Sequence, residues 1–177
     1  MKIRLITPVF IVLLCIPFSS CDKIKELADV SFDSTIPLSF VINETAVNNS
    51  GKTYTESKLL NATSDPEIAK YASKIKEIKV NRITYTISNA NPNTVTFTNG
   101  TIKIVATSKQ IASVASINLT STTETDLITD TSGLNELAAK LLDDKQETVQ
   151  LQGNLSKTPV TFNLTFKFYA KVTANPL

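Results

Sequence analysis

The sequence predicts a mainly β fold: an antiparallel β-sandwich of about seven or eight strands with two short helices. Three observations predict it. One long segment near the C-terminus alternates apolar and polar residues, and a second follows the N-terminal region. The stretches between alternating segments are rich in Asn, Ser, Thr and Pro, which favour turns. With 177 residues the chain can bury one substantial core, so residues 30–177 are assigned to a single domain.

Residues 159–172 carry the strongest pattern. Every even-numbered residue from Val160 to Val172 is apolar, and the odd-numbered residues between them are Thr, Asn, Lys and Tyr. Side chains alternate between the two faces of a strand, so this segment predicts a strand with one buried face. A helix of 3.6 residues per turn would distribute the phenylalanines around its axis.

Residues 30–42 repeat this pattern on even-numbered positions, with Ser34 as the interruption. Pro37 lies on the opposite face. Proline has no N–H to donate to a neighbouring strand, so it predicts an edge strand or a bulge. Because the first and last strands have similar length and pattern, we expect them to lie in the same sandwich as neighbours.

The middle of the chain contains start, stop and bulge signals. The S-D-P-E motif at 64–67 is typical of a capping box with proline in the first turn, and predicts a helix to about Lys76. The apolar phase changes near Asn81-Arg82, which predicts a β-bulge. Asn99-Gly100 predicts a hairpin turn.

The remaining elements are predicted from the apolar pattern. The strands are expected at 53–56, 77–89, 101–106, 110–119 and 149–155, and a polar loop at 120–130. A second helix is expected from Ser132 to Asp143-Asp144, with an apolar stripe formed by Leu134, Leu137, Ala138 and Leu141.

Residues 1–20 have the pattern of a secretory signal peptide. Lys2 and Arg4 precede an apolar run that is too short for a stable membrane span. Cys21 follows two serines directly, whereas Cys15 follows two leucines, where signal cleavage requires small residues. A plain secreted protein with a stray cysteine is the alternative. We expect Cys21 to carry lipid, with residues 21–29 as its tether.

The F-S-S-C segment that ends at Cys21 resembles a bacterial lipobox, of the looser kind found in the Bacteroidota. Phe18 stands where Leu is usual. The resemblance implies cleavage before Cys21, acylation of this cysteine with fatty acids such as palmitate, and a lipid anchor in the outer membrane with the domain facing the periplasm or the surface. The acyl chains would hold the protein at the membrane.

Two weaker resemblances concern the body of the chain. Its layout resembles small uncharacterised envelope lipoproteins of the Bacteroidota, a group that implies no activity. The S-N-A-N-P-N run at 88–93 resembles the water-stress (late-embryogenesis-abundant type) sandwich domains, in which an Asn-Pro-Asn turn follows a strand. That resemblance implies a sandwich with a different topology.

Composition excludes several classes of function. Beyond Lys2 and Arg4 the basic and acidic residues are equal in number, so we expect no electrostatic attraction to nucleic acid. The chain has no His, so it cannot form Ser-His or Cys-His nucleophile pairs. Its four glycines are too dispersed for a phosphate-binding loop, and both cysteines are N-terminal. We therefore predict no catalytic residues and no cofactor.

Three acidic residues of the polar loop are the candidates for a metal site. Glu124, Asp126 and Asp130 could offer oxygen ligands to Ca²⁺. Their spacing differs from that of an EF-hand, and no glycine among them supplies the sharp turn. A solvated acidic loop is the simpler interpretation, so we predict no metal.

Three functional hypotheses follow. The first is a non-catalytic, lipid-anchored envelope module that binds a protein or glycan partner or supports an assembly. The second is a small-ligand or glycan-binding lipoprotein, which a large apolar cavity or an exposed aromatic platform would favour. The third is a His-free hydrolase that uses carboxylates, which two buried acids with raised pKa in a cleft would favour.

Overall fold

The computed structural model describes residues 29–175, and they form two facing antiparallel sheets around one core. The predicted β-sandwich with two short helices is confirmed. The strands are β1 (Val30–Asn48), β2 (Lys52–Asn61), β3 (Ile75–Asn91), β4 (Thr96–Ile104), β5 (Gln110–Asn118), β6 (Thr125–Asp126), β7 (Ile128–Thr129), β8 (Gln146–Leu155) and β9 (Thr158–Ala174), and the helices are α1 (Pro66–Tyr71) and α2 (Thr131–Asp144).

The first sheet has the strand order β1-β9-β3-β6, and the second sheet has the order β2-β8-β4-β5-β7. The last strand therefore lies between β1 and β3 and pairs antiparallel with both. Its even-numbered side chains are buried, with Phe162, Phe166 and Phe168 at most 1% exposed. The predicted alternation, the pairing of first and last strands and the edge position of Pro37 are all confirmed.

The edges of β1 and β2 are closed by side chains. Lys58 of β2 donates from Nζ to the carbonyl oxygen of Ser39 at 2.7 Å, and its ammonium lies 5.3 Å from the centre of the Phe40 ring. Nearer the turn, Lys52 and Glu44 form an ion pair at 2.5 Å. Unpaired strand edges invite other strands to add, and an inward-pointing lysine opposes such pairing. The strand β2 is longer than the predicted 53–56.

The opposite side of the sandwich is closed by the segment that was predicted to be a polar loop. Here β6 pairs with β3 of the first sheet and β7 pairs with β5 of the second. Leu127 lies between them, is buried, and donates its N–H to the carbonyl of Ile83 at 2.9 Å. Two-residue strands are too short to show an alternating pattern, which is why the loop prediction was wrong here.

The first helix is shorter than predicted and begins one residue later. Asp65, and not Ser64, is the N-cap, because its Oδ1 accepts the N–H groups of Glu67 and Ile68 at 2.9 and 3.0 Å. Ser64 instead donates its hydroxyl to a backbone carbonyl. The α-helical turns end at Tyr71, and a 3₁₀ turn leads into β3.

The second helix closes one end of the sandwich and contacts strands of both sheets. Its predicted stripe, Leu134, Leu137, Ala138 and Leu141, is buried as expected. Asp130, and not Ser132, is the N-cap, since its Oδ1 accepts the N–H of Gly133 at 2.7 Å. A Cβ at Gly133 would lie 1.9 Å from the carbonyl oxygen of Gln110, so the close approach of helix and strand requires glycine.

The predicted hairpin at Asn99-Gly100 was wrong, because both residues lie inside β4. Asn99 has φ of 52°, and the register against β8 shifts between Thr98 and Thr101, which is a bulge. Asn tolerates the left-handed conformation that bulges and tight turns both use, so this dipeptide does not distinguish them. The chain reverses instead at residues 105–109. The predicted bulge near Asn81 is confirmed by the register shift between Val80 and Arg82.

Phe166→Ala tests the buried face of β9. The side chain is 1% exposed and meets the Phe40 ring edge to face at 5.9 Å between centroids. Its removal leaves a cavity, so we expect the free energy of unfolding in urea to fall by about 3–5 kcal/mol. Val41→Ala, at a side chain 58% exposed, is the control and should cost less than about 0.5 kcal/mol. Similar losses in both variants would contradict the assigned faces.

Candidate binding site on the first sheet

The outer face of the first sheet carries a cluster around Glu124. This carboxylate accepts a hydrogen bond at Oε1 from the Thr84 hydroxyl at 2.8 Å and another from the Tyr169 hydroxyl. Its Oε2 accepts from Nζ of Lys167 at 2.7 Å. Thr84, although on the outer face, is only 2% exposed. The carboxylate therefore fastens the segment before β6 to strands β3 and β9.

These contacts determine the charge state of Glu124. Hydrogen bonds from Lys167, Tyr169 and Thr84, in that order of effect, lower the pKa of Glu124 from 4.5 to about 2. The same contact with Glu124 raises the pKa of Lys167. A carboxyl with this pKa remains ionised at neutral pH, so it acts as an anchor and is unsuited to donate a proton as a general acid.

Tyr169 is held at its ring as well as at its hydroxyl. The guanidinium carbon of Arg82 lies 4.2 Å from the centre of the Tyr169 ring, a stacked cation–π contact. The Nε of Arg82 lies 3.6 Å from Oδ1 of Asp126. Tyr169 is thus fixed in orientation by two neighbours on adjacent elements.

An open recess of about 490 Å³ lies beside Tyr169 and crosses the first sheet from β1 to β3. Thr35 is directly opposite Tyr169 in the β1–β9 register, and Asn81 lies at the bulge of β3. Within the described residues, the side chains of Asp33, Thr35 and Asn81 make no hydrogen bond or ion pair. Those polar groups are therefore available to a ligand. The recess is lined by Asp33, Ser34, Thr35, Asp65, Asn81, Tyr169 and Ala170.

A cavity between the two sheets is much smaller than the recess. This cavity, near Phe97, Leu151 and Phe166, measures about 10 Å³, which is room for about one water molecule. One reason is that the Phe97 ring packs over Gly153 of the neighbouring strand, where a Cβ would lie 2.2 Å from the ring. The aromatic side chains fill the core and leave no room for an apolar ligand at this position.

The three acidic residues considered for a metal site have separate tasks. Glu124 binds Lys167, Tyr169 and Thr84, Asp126 faces Arg82, and Asp130 caps α2 while lying 3.7 Å from Lys109. Between residues 29 and 175, no three His, Cys, Asp or Glu side chains lie close enough together to hold a metal ion. Cys21, the predicted lipidation site, and most of the predicted tether lie outside the described residues. Asp29, the last tether residue, forms an ion pair with Lys76 at 2.8 Å.

The residues of the recess were not identified from the sequence. Two signals point to part of it: the phase change at Asn81-Arg82 places a bulge there, and Tyr169 is an aromatic on the polar face of the last strand. The contact of Tyr169 with Glu124 joins residues 45 positions apart in the chain. No local pattern encodes it.

Comparisons with known proteins add little. No protein-family model matches the chain, and no curated protein matches it. Among solved structures, a chain of Desmodium yellow mottle tymovirus is similar at a TM-score of 0.45 and 13% identity, over 84% of this chain and 89% of that chain. A likeness of this degree carries no functional information. Among the described helices, none has the length and apolar character needed to cross a membrane.

Glu124→Gln tests the anchoring role of the carboxylate. Because folding lowers the pKa of Glu124, its ionised form stabilises the fold fully above about pH 4.5, and this contribution is lost as the pH falls toward about 2. We expect wild type to exceed the variant in free energy of unfolding at about pH 7, and the difference to shrink at about pH 2.5. Urea unfolding at both pH values measures it.

The matched control is Glu77→Gln, which replaces an exposed glutamate of β3. At about pH 7 its free energy of unfolding should differ less from that of wild type than the free energy of unfolding of Glu124→Gln does. An equal deficit of Glu124→Gln at both pH values would show that its contacts do not depend on the carboxylate charge.

Proposed function

We propose that this chain is a non-catalytic binding module of the bacterial cell envelope, anchored by lipid at Cys21 in the outer membrane, and that it binds its partner at the recess. The support for the anchor comes from the sequence around Cys21. The support for the recess comes from its open volume and from the unengaged side chains of Asp33, Thr35 and Asn81.

The contrast between the two cavities carries this proposal. The recess that crosses the first sheet measures about 490 Å³, against about 10 Å³ for the cavity near Phe97 and Phe166 between the sheets. Binding sites for drug-sized ligands occupy about 300–1,000 Å³. The volumes favour recognition on the surface and argue against a carrier that encloses a small apolar molecule.

The pKa shifts of the described acids do not favour the hydrolase alternative. Glycoside hydrolysis by two carboxyls needs one of them protonated near neutral pH, hence with a raised pKa. Of the described acids, Glu124 has the largest pKa shift, and it is lowered. Asp33 and Asp65 both line the recess, but Asp65 is engaged as the cap of α1. These observations favour binding over catalysis.

Cys21→Ala tests the anchor, and Cys15→Ala is its matched control because the two cysteines lie six positions apart. In bacteria fed labelled palmitate, we expect wild type and Cys15→Ala to be labelled and to sediment with membranes. Cys21→Ala should lose the label and leave the membrane fraction, since the lipid supplies the attachment. Labelled Cys21→Ala protein would overturn the lipid anchor.

A photo-crosslinker tests the recess as the binding surface. Benzoylphenylalanine placed at Thr35 lies in the recess. The control position is Asn163, whose side chain is on the same face of the sheet as that of Thr35. Asn163 is six residues from Tyr169 along β9, or about 20 Å. Irradiation of intact cells should crosslink the protein to an envelope component when the label is at position 35. The label at position 163 should not give this crosslinked product. The same adducts from both positions would mean that the recess is not the binding surface.

A further inference from the structure

We infer that the recess recognises an uncharged glycan, a ligand that presents several hydroxyl groups and no ionised group. This inference rests on the proposed function and names the chemical class of the partner. It follows from three properties of the recess: the hydrogen-bonding groups left open, the rigid aromatic side chain at its wall, and the balance of charge around it.

The open polar groups match sugar hydroxyls. The carboxylate of Asp33 only accepts hydrogen bonds, the hydroxyl of Thr35 both donates and accepts, and the amide of Asn81 has separate donor and acceptor atoms. A sugar hydroxyl also donates and accepts, so neighbouring hydroxyls can satisfy all three side chains. Because these groups have no protein partner among the described residues, no internal hydrogen bond must be broken for a ligand to bind.

Tyr169 supplies a surface fixed before binding. Its ring is stacked by Arg82 and its hydroxyl donates to Glu124, so the ring loses little rotational freedom when a ligand packs beside it. An aromatic ring presents a flat apolar body next to polar groups, and the C–H face of a sugar ring has the same flat apolar character. This combination suits a polyhydroxylated ring better than a fully apolar ligand.

Charges of both signs lie around the recess, so it has no strong electrostatic preference for an anion or a cation. Asp33 and Asp65 line the recess and repel an anion. Arg82 already stacks on the Tyr169 ring. Lys171 of β9 stands opposite Asp33 of β1 and, on its other flank, opposite Lys79 of β3. A cation in the recess therefore meets positive neighbours. Because the attraction from charges of one sign is offset by repulsion from the other, an ion gains little net electrostatic free energy here, whereas a neutral ligand meets no like-charge repulsion.

The shape of the recess indicates recognition along a chain. It crosses β1, β9 and β3, which is two strand spacings or about 10 Å, and it opens to solvent. An open site buries only part of a ligand, so a single contact is weak, and many anchored copies acting on one polysaccharide would raise the avidity.

Native affinity electrophoresis of the full chain tests the inference. The gels contain pullulan or xyloglucan as neutral probes, polygalacturonate as the anionic probe and chitosan as the cationic probe. We expect retardation in at least one neutral gel. Thr35→Val and Asn81→Ala should each raise the apparent Kd about three- to tenfold, the effect of losing one hydrogen bond. Asn163→Ala, outside the recess on the same face, should bind as wild type does.

Three results would overturn the inference: no retardation in any neutral gel, retardation only with polygalacturonate or chitosan, or equal retardation of wild type and both recess variants. The thermal unfolding temperature of each variant must match that of wild type. If Asn81→Ala disturbs the bulge, Thr35→Val alone tests the recess, because it keeps the shape of the side chain. An envelope protein crosslinked from Thr35 without neutral-glycan binding would remove the glycan inference and leave the proposed function. If neither crosslinking from Thr35 nor binding of a neutral glycan is seen, both the proposed function and the glycan inference fail.

Discussion

The structure depends on the burial of one face of β9. This strand joins β1 to β3, and its phenylalanines fill the space against the second sheet, with Phe162 meeting Phe97 at 6.5 Å between ring centroids. The pleat that sends these rings inward sends Lys167 and Tyr169 outward. The hydrophobic constraint on the core thereby positions the side chains of the candidate site.

The bulge in β3 and the Glu124 segment convert this outer face into a shaped surface. The bulge re-aims β3 so that Arg82 stands opposite Tyr169 while Asn81 lines the recess. Glu124, just before β6, is hydrogen-bonded to strands β3 and β9 and covers the buried Thr84 side chain. The same contacts close one side of the sandwich and fix the Tyr169 ring beside the recess, so residues that stabilise the fold also shape the candidate site.

Sequence reasoning predicted what depends on periodicity. The alternation at residues 160–172 identified the central strand, the change of phase identified the bulge at Asn81, and the apolar stripe identified α2. It failed where one local signal serves two structures, as at Asn99-Gly100, and where an element is too short to be periodic, as at β6. The recess was beyond reach because its side chains meet only through strand register and a contact with Glu124, which lies 45 residues from Tyr169.

The pairing of Val30 with Ala174 brings the two termini of the described chain together at one end of the sandwich, where Asn175 also donates its N–H to the carbonyl of Lys74. The turns at residues 49–51, 92–95 and 156–157 lie at the other end. A tag fused to the C-terminus would therefore start close to residue 29, from which the chain leads to the lipid anchor proposed at Cys21. An epitope inserted at residues 156–157 would project away from it, and is the better choice for labelling the protein in cells.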